Sequence, residues 1–427
     1  MLLKKYPASS IAAIAALLIT PSVWAADTLT DALTGGKASA NLQYRYEDVS
    51  NANTTANTAT ASTVRLRLGY ETATFNGFGA MVEAESSHDL GNRKYNSTNP
   101  VDARYAIIQE PEITEMNQAY LSYSGIANTT VKWGRQRIKL DNDRFIGNVG
   151  WRLNEQTFDA FTLVNKSLPS TTITAGYITN VNRVIGDGVT GGNAPMSSPI
   201  FNVNYKGWSF AEIVGYAYLL DYTITAPYAA NAVNSSDTYG LRLNGSTPMG
   251  GNKVLYTAEF AEQRSAHSNT TNYKTSYTLL EAGVDITKVA VFKLGYEVLG
   301  SDTGLANTQF KTPLATLHAF NGWADMFAAL TPQQGLKDTY VSVNGKLAGI
   351  GLGAVYHDYR TDTTTATLTK TNLGKEWDLV ATYAFDKNYM LGLKYADYKA
   401  GANNAGANGT TAFVDTQKTW LWGEFKF

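Results

Sequence analysis

The 427-residue sequence contains no cysteine, and beyond its first residues it has no long apolar run. The missing thiols exclude a disulfide framework and any thiolate metal site. The missing apolar runs exclude a membrane-spanning helix, because such a helix needs about twenty apolar residues. An excess of one charge is also missing, since 35 Lys and Arg stand against 36 Asp and Glu. That balance gives no support to nucleic-acid binding.

The N-terminus has the three parts of a secretory signal peptide. Lys4 and Lys5 are basic, residues 11–19 form a short apolar stretch, and Val23-Trp24-Ala25 offers small residues to signal peptidase. We therefore predict a signal peptide over residues 1–25, followed by a short periplasmic N-terminal segment over residues 26–38. The mature chain is expected to be exported.

Polar and apolar residues alternate along the mature sequence, as in residues 40–47 (ANLQYRYE) and 64–71 (VRLRLGYE). A period of two predicts β-strands with one polar and one apolar face. The chain also has 26 Tyr, 8 Trp and 37 Gly but only 11 Pro. Transmembrane barrels have such a composition, because half of each strand faces a polar lumen and aromatic girdles lie at both interfaces.

The connections between these segments alternate between short and long, as residues 74–77 and 88–115 illustrate. Short periplasmic turns opposite long extracellular loops are typical of outer-membrane barrels. Eighteen segments begin near residues 39, 62, 77, 117, 129, 156, 171, 199, 208, 237, 253, 276, 289, 338, 351, 372, 388 and 417. The sequence thus predicts an all-β fold, a single transmembrane antiparallel β-barrel of about eighteen strands over residues 39–427, in the bacterial outer membrane.

The chain ends in Phe427, and Phe425 and Leu421 precede it on the same face of the last predicted strand. This stripe resembles the barrel-assembly signal of outer-membrane proteins. We therefore expect the C-terminal strand to contact the barrel-assembly machinery. The other expected partners are outer-membrane lipid, lipopolysaccharide and a small hydrophilic solute, and the barrel is expected to be a monomer.

Charged residues lie between the apolar positions of many predicted strands, and they are expected to face the lumen. A charge on the lipid face costs up to about 2–4 kcal/mol at the bilayer midplane. The predicted pore-lining residues are Arg45, Glu47, Arg65, Arg67, Glu71, Glu83, Glu85, Lys132, Arg242, Glu259, Lys293 and Glu297. Further inward candidates are Glu281, Asp285, Glu376, Asp378 and Lys394. Cross-strand pairing that stiffens the wall and selection of solutes are both open roles for these charges.

The densest charged cluster follows the fifth predicted strand, over residues 133–145 and 150–152. Folded into the lumen, it would form a constriction with a positive field; left outside, its charges would be solvated. The predicted constriction residues are Arg135, Arg137, Lys139, Asp141, Asp143, Arg144 and Arg152. Asp141-Asn142-Asp143 has oxygen ligands for Ca²⁺, but ordinary turn chemistry is favoured. No cofactor or metal is expected.

Two segments resemble the alginate-export family of outer-membrane porins. One carries Trp133-Gly134-Arg135-Gln136, Asp143-Arg144-Phe145 and Trp151-Arg152, and the other is the long segment 310–325 (FKTPLATLHAFNGWAD). The resemblance implies an eighteen-stranded monomeric barrel with an electropositive pore, in which that role falls to Arg135, Arg137, Arg144 and Arg152. The many acidic residues of the predicted wall depart from this pattern.

The predicted function is therefore a porin, and not an enzyme, for small hydrophilic solutes that include anions or saccharides. One alternative is an outer-membrane hydrolase, in which His357-Asp358 and a serine from a neighbouring strand would form a triad. No nucleophile motif marks that serine. The other alternative is a structural or adhesive barrel whose lumen is plugged.

Overall fold

The computed structural model describes residues 26–52, 56–91, 93–328, 331–366, 369, 371–402 and 413–427. The predicted signal peptide over residues 1–25 lies outside this part of the chain. No helix within it is long and apolar enough to cross a membrane.

The described chain forms one short helix, α1 (Leu29–Thr34), and eighteen strands. The strands are β1 (Lys37–Asn51), β2 (Ala59–Glu71), β3 (Phe78–Asp89), β4 (Ile113–Tyr123), β5 (Thr129–Gln136), β6 (Thr157–Asn165), β7 (Thr171–Asn182), β8 (Asn193–Tyr205) and β9 (Ala211–Leu220). The second half comprises β10 (Ser236–Met249), β11 (Asn252–Ser265), β12 (Lys274–Ile286), β13 (Ala290–Leu299), β14 (Leu336–Leu347), β15 (Ile350–Arg360), β16 (Asn372–Ala384), β17 (Tyr389–Ala400) and β18 (Thr416–Lys426). Two 3₁₀ turns, Ala229–Asn234 and Leu317–Ala319, lie in loops.

Every strand pairs antiparallel with its neighbour in sequence, and β18 pairs with β1 to close the sheet. Leu42 of β1 lies opposite Phe425 of β18 on one side and Leu66 of β2 on the other. Closure leaves no strand edge unpaired, which a barrel in lipid requires because hydrocarbon offers no hydrogen-bond partner. The predicted eighteen-stranded antiparallel barrel is confirmed.

The two largest errors in the predicted strand starts fall at β-bulges. Strand β8 begins at Asn193, whereas the sequence pattern predicted Pro199, and β4 begins at Ile113 rather than Asn117. The pairing of β7 with β8 shifts next to Ile178, and the pairing of β3 with β4 shifts after Glu83. A bulge inserts an extra residue into one strand, so the two-residue period on which the prediction relied is interrupted there.

The two faces of the wall differ as the alternation predicted. Leu68, Trp133 and Leu421 are exposed on the outside, whereas Arg45 and Glu376 are buried on the inside. Side chains at i and i+2 share a face of a strand, so the wall has an apolar exterior and a charged interior. This arrangement is typical of a barrel surrounded by lipid.

The connections are short at one end of the barrel and long at the other. Ala348 and Gly349, with φ of 48° and 87°, form the two-residue turn between β14 and β15. Both ends of the described chain lie at this short-turn end, where Phe427 N–H donates to the carbonyl of Ala40 (3.0 Å). Helix α1 lies there too, because Ala73 N–H donates to the carbonyl of Ala32 (3.1 Å). The barrel begins at Lys37, two residues before the predicted start.

The described residues of three long connections fold into the lumen. We call them the first (137–156), second (300–328 and 331–335) and third (90–91 and 93–112) infolded loops. The first and second are joined directly. Ile146 and Leu314 form a parallel bridge, and Gly147 N–H donates to the carbonyl of Leu314 (2.9 Å). Both Ile146 and Leu314 are buried in a cluster of apolar side chains inside the barrel. Apolar loop residues surrounded by a polar wall are thereby removed from water.

Candidate functional site

The first infolded loop packs one side of its tip against an aromatic region of the wall. Phe145 lies 5.1 Å from Tyr216 and 5.4 Å from Tyr277, measured between ring centroids. Phe310 of the second infolded loop completes the contact at 6.0 Å. Each such aromatic pair adds about 0.5–1.5 kcal/mol beyond its buried area, so these rings hold both loops against β9 and β12.

Ion pairs hold the other side of the loop. The Arg152 guanidinium contacts Glu47 of β1 (3.0 Å), Glu110 of the third infolded loop (3.5 Å) and Asp325 of the second (3.2 Å). Glu110 also accepts a hydrogen bond from Leu153 N–H (3.0 Å). One side chain therefore joins the wall to all three infolded loops.

As Arg152 does at β1, Arg144 attaches the first infolded loop to the wall at β13. Its Nε lies 2.8 Å from Glu297, and its Nη2 donates to Asn321 of the second infolded loop (3.0 Å). The Asn321 amide in turn donates to Glu297 (2.6 Å) and to Asp338 of β14 (3.1 Å). Arg144 is fully buried, so the cost of removing its charge from water must be offset by these oxygen-bearing side chains.

Arg137 is paired with two carboxylates. It contacts Glu83 of β3 (2.5 Å) and Glu155 at the end of its own loop. Glu155 also forms an ion pair with Arg67 (3.3 Å) and accepts a hydrogen bond from the amide of Asn117 (2.7 Å). Although burial acts in the opposite direction, Arg137 and Arg67 hold the pKa of Glu155 below its usual range. The loop is therefore clamped at its two ends.

The acidic residues at the start of the loop have structural partners. Asp143 pairs with Lys139 (3.0 Å), and Asp141 accepts from the amide of Asn202 (2.8 Å). Burial, assisted by the charge of Glu259, raises the pKa of Asp141 to about 6. Asp141 and Asp143 both have positive φ, which matches the turn chemistry favoured from the sequence. Among the described residues, no group of three or more acidic, His or Cys side chains could hold a metal ion.

Arg135 lies in strand β5 of the barrel wall and not in the first infolded loop. It lies in register between Ala119 of β4 and Asp159 of β6, two residues from the outward Trp133. Its guanidinium pairs with Asp159 (3.0 Å) and Asp187 (3.2 Å). The sequence motif placed Arg135 in a charged run, but strand alternation puts it on the opposite face from Gln136, which is buried inside.

Most of the predicted pore-lining charges have a polar partner in the wall or in an infolded loop. Arg45 contacts Glu110 (2.8 Å) and Arg65 reaches the carbonyl of Leu153 (3.2 Å). The other pairs are Arg67 with Glu85, Arg242 with Glu259 (2.5 Å), Lys293 with Glu281 (2.6 Å), and Lys132 with the Tyr120 hydroxyl (3.1 Å). Glu71 is exposed at the short-turn end, opposite Lys37. These contacts favour the wall-stiffening role that the sequence left open.

The basic residues of the first infolded loop are therefore compensated. Arg137, Lys139, Arg144 and Arg152 each lie within ion-pair distance of at least one carboxylate. The positive field that the cluster would create alone is cancelled at short range by these carboxylates, most of which lie outside the first infolded loop. Charges of both signs, rather than a basic ring, therefore surround the first infolded loop.

Wall carboxylates hold the tip of the second infolded loop through its backbone. Trp323 N–H donates to Asp378 (3.1 Å), and Ala324 N–H donates to Glu376 (2.6 Å). Gly322 has φ of 87°, and a Cβ there would lie 2.2 Å from the Tyr359 hydroxyl oxygen. Glycine adopts this positive φ without strain, and any larger residue would push these wall side chains aside.

Trp151 lies in a cluster of cations and rings between the first two loops. Its ring has the Arg45 guanidinium 4.3 Å and the Lys394 ammonium 3.5 Å from its centroid, and it stacks on His318 at 4.6 Å. The His318 ring lies between Asp325, 2.7 Å from Nδ1, and Lys394, 3.1 Å from Nε2. Burial lowers the pKa of His318 to about 3, so at neutral pH its Nε2 accepts from Lys394.

Sequence reasoning missed several residues of this region. Glu110 and Asp325 lie in loops without strand periodicity, so no pattern marked them as inward. Trp420 and Trp422 face the lumen although they are apolar, and they flank the outward Leu421. A run that is apolar on both faces has no two-residue alternation. The one available signal was their position: Trp420 and Trp422 occupy alternate positions to the outward Leu421, and such positions face the lumen.

The histidine considered for a hydrolase has carboxylate neighbours. His357 Nδ1 lies 2.9 Å from Asp338, and its Nε2 lies 3.7 Å from Asp378. Asp358 pairs instead with Arg360 (2.9 Å), which is exposed. Within the described part of the chain, these contacts place His357 in the wall network and give it no serine nucleophile.

The alginate-export family model matches residues 37–174, so the resemblance is confirmed over the first motif, while the segment 310–325 lies outside the match. Among solved structures, Acinetobacter baumannii OccAB4 has a TM-score of 0.71 at 13% identity, covering 92% of this chain and 98% of its own. Pseudomonas aeruginosa OpdK with vanillate has 0.70 at 13% identity, covering 92% and 99%. P. aeruginosa OpdQ has 0.67 at 18% identity, covering 93% and 99%.

No curated protein sequence matches this chain significantly. The structural neighbours are outer-membrane porins. Because their sequence identity to this chain is low, the likeness shows a shared fold and no more. The fold and the family match together indicate a multi-pass barrel of the bacterial outer membrane. The chain therefore has the eighteen-stranded porin fold and, over residues 37–174, the sequence features of the alginate-export family.

Proposed function

We propose that this chain is a porin through which small hydrophilic solutes diffuse, and that its infolded loops set the width of the path. One observation carries the proposal: the first and second infolded loops meet in the lumen and are tied to two separate parts of the wall. Arg144 joins them to β13, and Arg152 joins them to β1. Loops held in this way narrow a barrel whose interior is otherwise polar.

The proposed constriction consists of Arg137, Lys139, Asp141, Asp143, Arg144 and Arg152, and the predicted inward charges line the rest of the path. Because its cations are matched by carboxylates, we expect weak charge selection by this ring. The aromatic side at Tyr216 and Phe145 supplies flat apolar surface beside hydrogen-bonding groups, which suits saccharides and small ring acids. The OpdK structure contains vanillate, which is such an acid.

Single-channel recording in planar bilayers tests the proposal directly. We expect discrete conductance steps from the folded protein, and liposome swelling with glucose, glucuronate and a cationic sugar amine. Replacing residues 311–327 with a short Gly-Ser linker should raise the conductance, because it removes the part of the second infolded loop that lies in the lumen. A folded barrel without conductance would support the plugged structural alternative instead.

We propose that the barrel has no enzymatic activity. The hydrolase alternative rested on His357, whereas the one serine–histidine hydrogen bond among the described residues joins Ser86 Oγ to His88 Nε2 (2.8 Å). No carboxylate of the described chain forms an ion pair with His88, so a base there lacks the orienting partner of a triad. Equal and background-level hydrolysis of a p-nitrophenyl ester by the wild type and Ser86→Ala is expected. Serine-dependent turnover would overturn this view.

The proposed partners are lipopolysaccharide at the long-loop end and the barrel-assembly machinery at β18. Phe427 is exposed at the short-turn end, where an assembly factor could reach it. We further propose a monomer, which light scattering of the detergent-solubilised barrel would test. Removal of Phe427 should slow membrane assembly in cells while leaving the barrel that does form heat-modifiable on gels.

A further inference from the structure

The short-turn end of the barrel carries one exposed lysine at each of six consecutive connections, from the one after β6 to the one after β16. Each of these lysines lies in the connection itself or within two residues of it. The six residues are Lys166, Lys206, Lys253, Lys288, Lys346 and Lys387. Because these connections follow one another around the rim, the ammonium groups form an arc, which we call the lysine arc.

Most of the lysine arc has no carboxylate partner. Lys206 pairs with Glu212 (3.0 Å), but its side chain is still 63% exposed. The other five form no ion pair with any described residue, although Asp285 lies opposite Lys253 in register. The Asp386 carboxylate accepts instead from two backbone N–H groups of its own turn (2.6 and 3.0 Å). Unpaired basic groups at one level of a membrane protein attract anionic lipid headgroups.

Aromatic side chains show that the lysine arc lies at the depth of these headgroups. Trp208 and Phe210, in the connection after β8, are exposed and stack with 5.7 Å between their ring centroids. Phe385 and Tyr389 are exposed on either side of Lys387. Such rings mark the membrane–water interface of transmembrane barrels. The ammonium groups are therefore placed beside the headgroups of the inner leaflet, because short turns face the periplasm.

Helix α1 occupies the sector of the rim that the lysine arc leaves free, since the connections after β2 and β4 contain no lysine. Tyr70 shares the outer face of β2 with the exposed Leu68. The Tyr70 hydroxyl donates to the carbonyl of Leu33 (2.7 Å) and accepts from Gly36 N–H (3.0 Å). Because Tyr70 points outward, these contacts place the end of α1 against the outer face of the barrel.

The residues of α1 give the helix one apolar and one polar side. Leu29 and Leu33 are one turn apart and are 59% and 54% exposed, while Ala32 is buried. At about 100° per residue, Asp31 and Thr34 lie on the side away from the leucines. An amphipathic helix at a membrane interface presents its leucines to the acyl chains and its polar side to water. The leucines thereby continue the apolar outer face of β1 and β2.

We propose that the short-turn end binds anionic phospholipids of the inner leaflet through the lysine arc and α1. The lysines contact the lipid phosphates, and Leu29 and Leu33 insert among the acyl chains. The lysines alone would also fit a free phosphate or an acidic protein. A lipid is favoured because the aromatic side chains and the leucines add apolar contacts at the same level of the rim. The inference does not depend on conduction through the barrel.

Native mass spectrometry of the detergent-solubilised barrel measures the binding of single lipids. The probes are phosphatidylglycerol and phosphatidylcholine with the same acyl chains, and glycerol 3-phosphate as a phosphate without chains. We expect phosphatidylglycerol to be retained in preference to phosphatidylcholine, and glycerol 3-phosphate not to be retained. Equal retention of the two lipids, or equal retention of phosphatidylglycerol and glycerol 3-phosphate, would overturn the proposal.

Two matched variants locate the binding surface. The test variant changes Lys166, Lys288 and Lys387 to Gln. The control variant changes Lys274, Lys337 and Lys399 of the long-loop end to Gln, and each of these has a carboxylate within 3.2 Å. The test variant should bind phosphatidylglycerol about fivefold more weakly, since each headgroup loses one lysine. The control should bind as the wild type does; an equal loss in both variants would overturn the proposal.

A spin label tests the insertion of α1. The chain has no cysteine, so Leu33→Cys and Thr34→Cys each carry a single nitroxide. In liposomes with phosphatidylglycerol, the label of Leu33→Cys should be more accessible to oxygen than to a water-soluble nickel chelate, and the label of Thr34→Cys should show the reverse. Leu29→Cys repeats the test if Leu33→Cys does not fold, as judged by heat-modifiable migration. Labels that are all in water would overturn the proposal.

These results are separate from the porin function. A barrel that binds phosphatidylglycerol as expected but shows no conductance would contradict the porin proposal and support the lipid surface. A conducting barrel whose test variant binds phosphatidylglycerol as the wild type does would overturn the lipid surface.

Discussion

Replacing Arg152 by Met should release the first infolded loop while leaving the barrel intact. The change removes the one guanidinium that contacts Glu47, Glu110 and Asp325. The side chains of Glu47 and Glu110 are 1% and 0% exposed, so two buried carboxylates lose a partner. The strand ladder of the barrel does not depend on these contacts, and the effect should therefore be confined to the loops.

The magnitude follows from the burial of the pairs. Breaking a buried ion pair by removing one partner costs about 3–5 kcal/mol. Arg152 itself is 11% exposed, so we use the lower value of about 3 kcal/mol. At about 1.4 kcal/mol per factor of ten, the population of the loop-open state should rise by about a hundredfold. The same opening should appear as larger and noisier conductance steps.

Hydrogen exchange measures this opening directly. The informative amides are Gly147 and Leu153, which donate to Leu314 and Glu110 in the folded state. They should lose protection in Arg152→Met while strand amides keep theirs. In Arg152→Met/Glu47→Gln, part of the protection should return, because one uncompensated carboxylate is gone.

Arg104→Met is the matched control. Arg104 pairs with Asp102 at 2.7 Å in the third infolded loop, but its side chain is 75% exposed, so the pair contributes little. Unchanged protection of Gly147 and Leu153 in Arg152→Met would refute the reasoning. So would an equal loss of protection in Arg104→Met, since the effect would then not depend on burial.

Three further predictions concern the same wall and loop. Gly134 has φ of 127°, and a Cβ there would lie 2.3 Å from the Ala119 carbonyl oxygen. Gly134→Ala should therefore lower the fraction of protein that migrates as the heat-modifiable folded barrel. The control Gly188→Ala should not, because open space surrounds that position. Phe145→Ala should cost about 3–5 kcal/mol locally and raise the conductance; an unchanged single-channel current would contradict the aromatic anchor. The raised pKa of Asp141, about 6, means that the folded state binds this proton more tightly than the unfolded chain. Loop protection should therefore fall as the pH rises from about 4 to about 6 and stay level above that. Asp141→Asn should abolish that dependence, and a persistent dependence would assign it to another group.

The fold could be predicted closely from the sequence because a barrel is specified by local, repeated rules. Each strand needs only a two-residue alternation, and each connection needs only its length, to be placed in order around the wall. The starts at Thr129, Thr171 and Asn372 were predicted to the residue. The errors at β4 and β8 arose where bulges interrupt the alternation.

From the sequence one could predict which charged residues face the lumen, but not which of them pair with each other. Alternation assigned Arg45, Glu47 and Lys394 to the inside correctly, because parity decides the face of a strand. Alternation cannot tell which inward charges form ion pairs, so it treated Lys394 in the same way as residues that are paired. Arg135 was misplaced because a motif, rather than parity, put it in the constriction.

What the sequence by itself determined was the barrel, its eighteen strands, its apolar outside and the position of its charged segment. What only the tertiary structure decided was which charges meet. Arg152 contacts Glu47 across 105 residues and Asp325 across 173 residues of sequence. Period and spacing fix the face on which a side chain lies, but a loop that crosses the lumen brings together residues whose separation in sequence bears no relation to their distance in space. From the sequence, the basic segment was therefore expected to create a positive field. In the fold its cations are paired with carboxylates, and these pairs attach the first infolded loop to the wall.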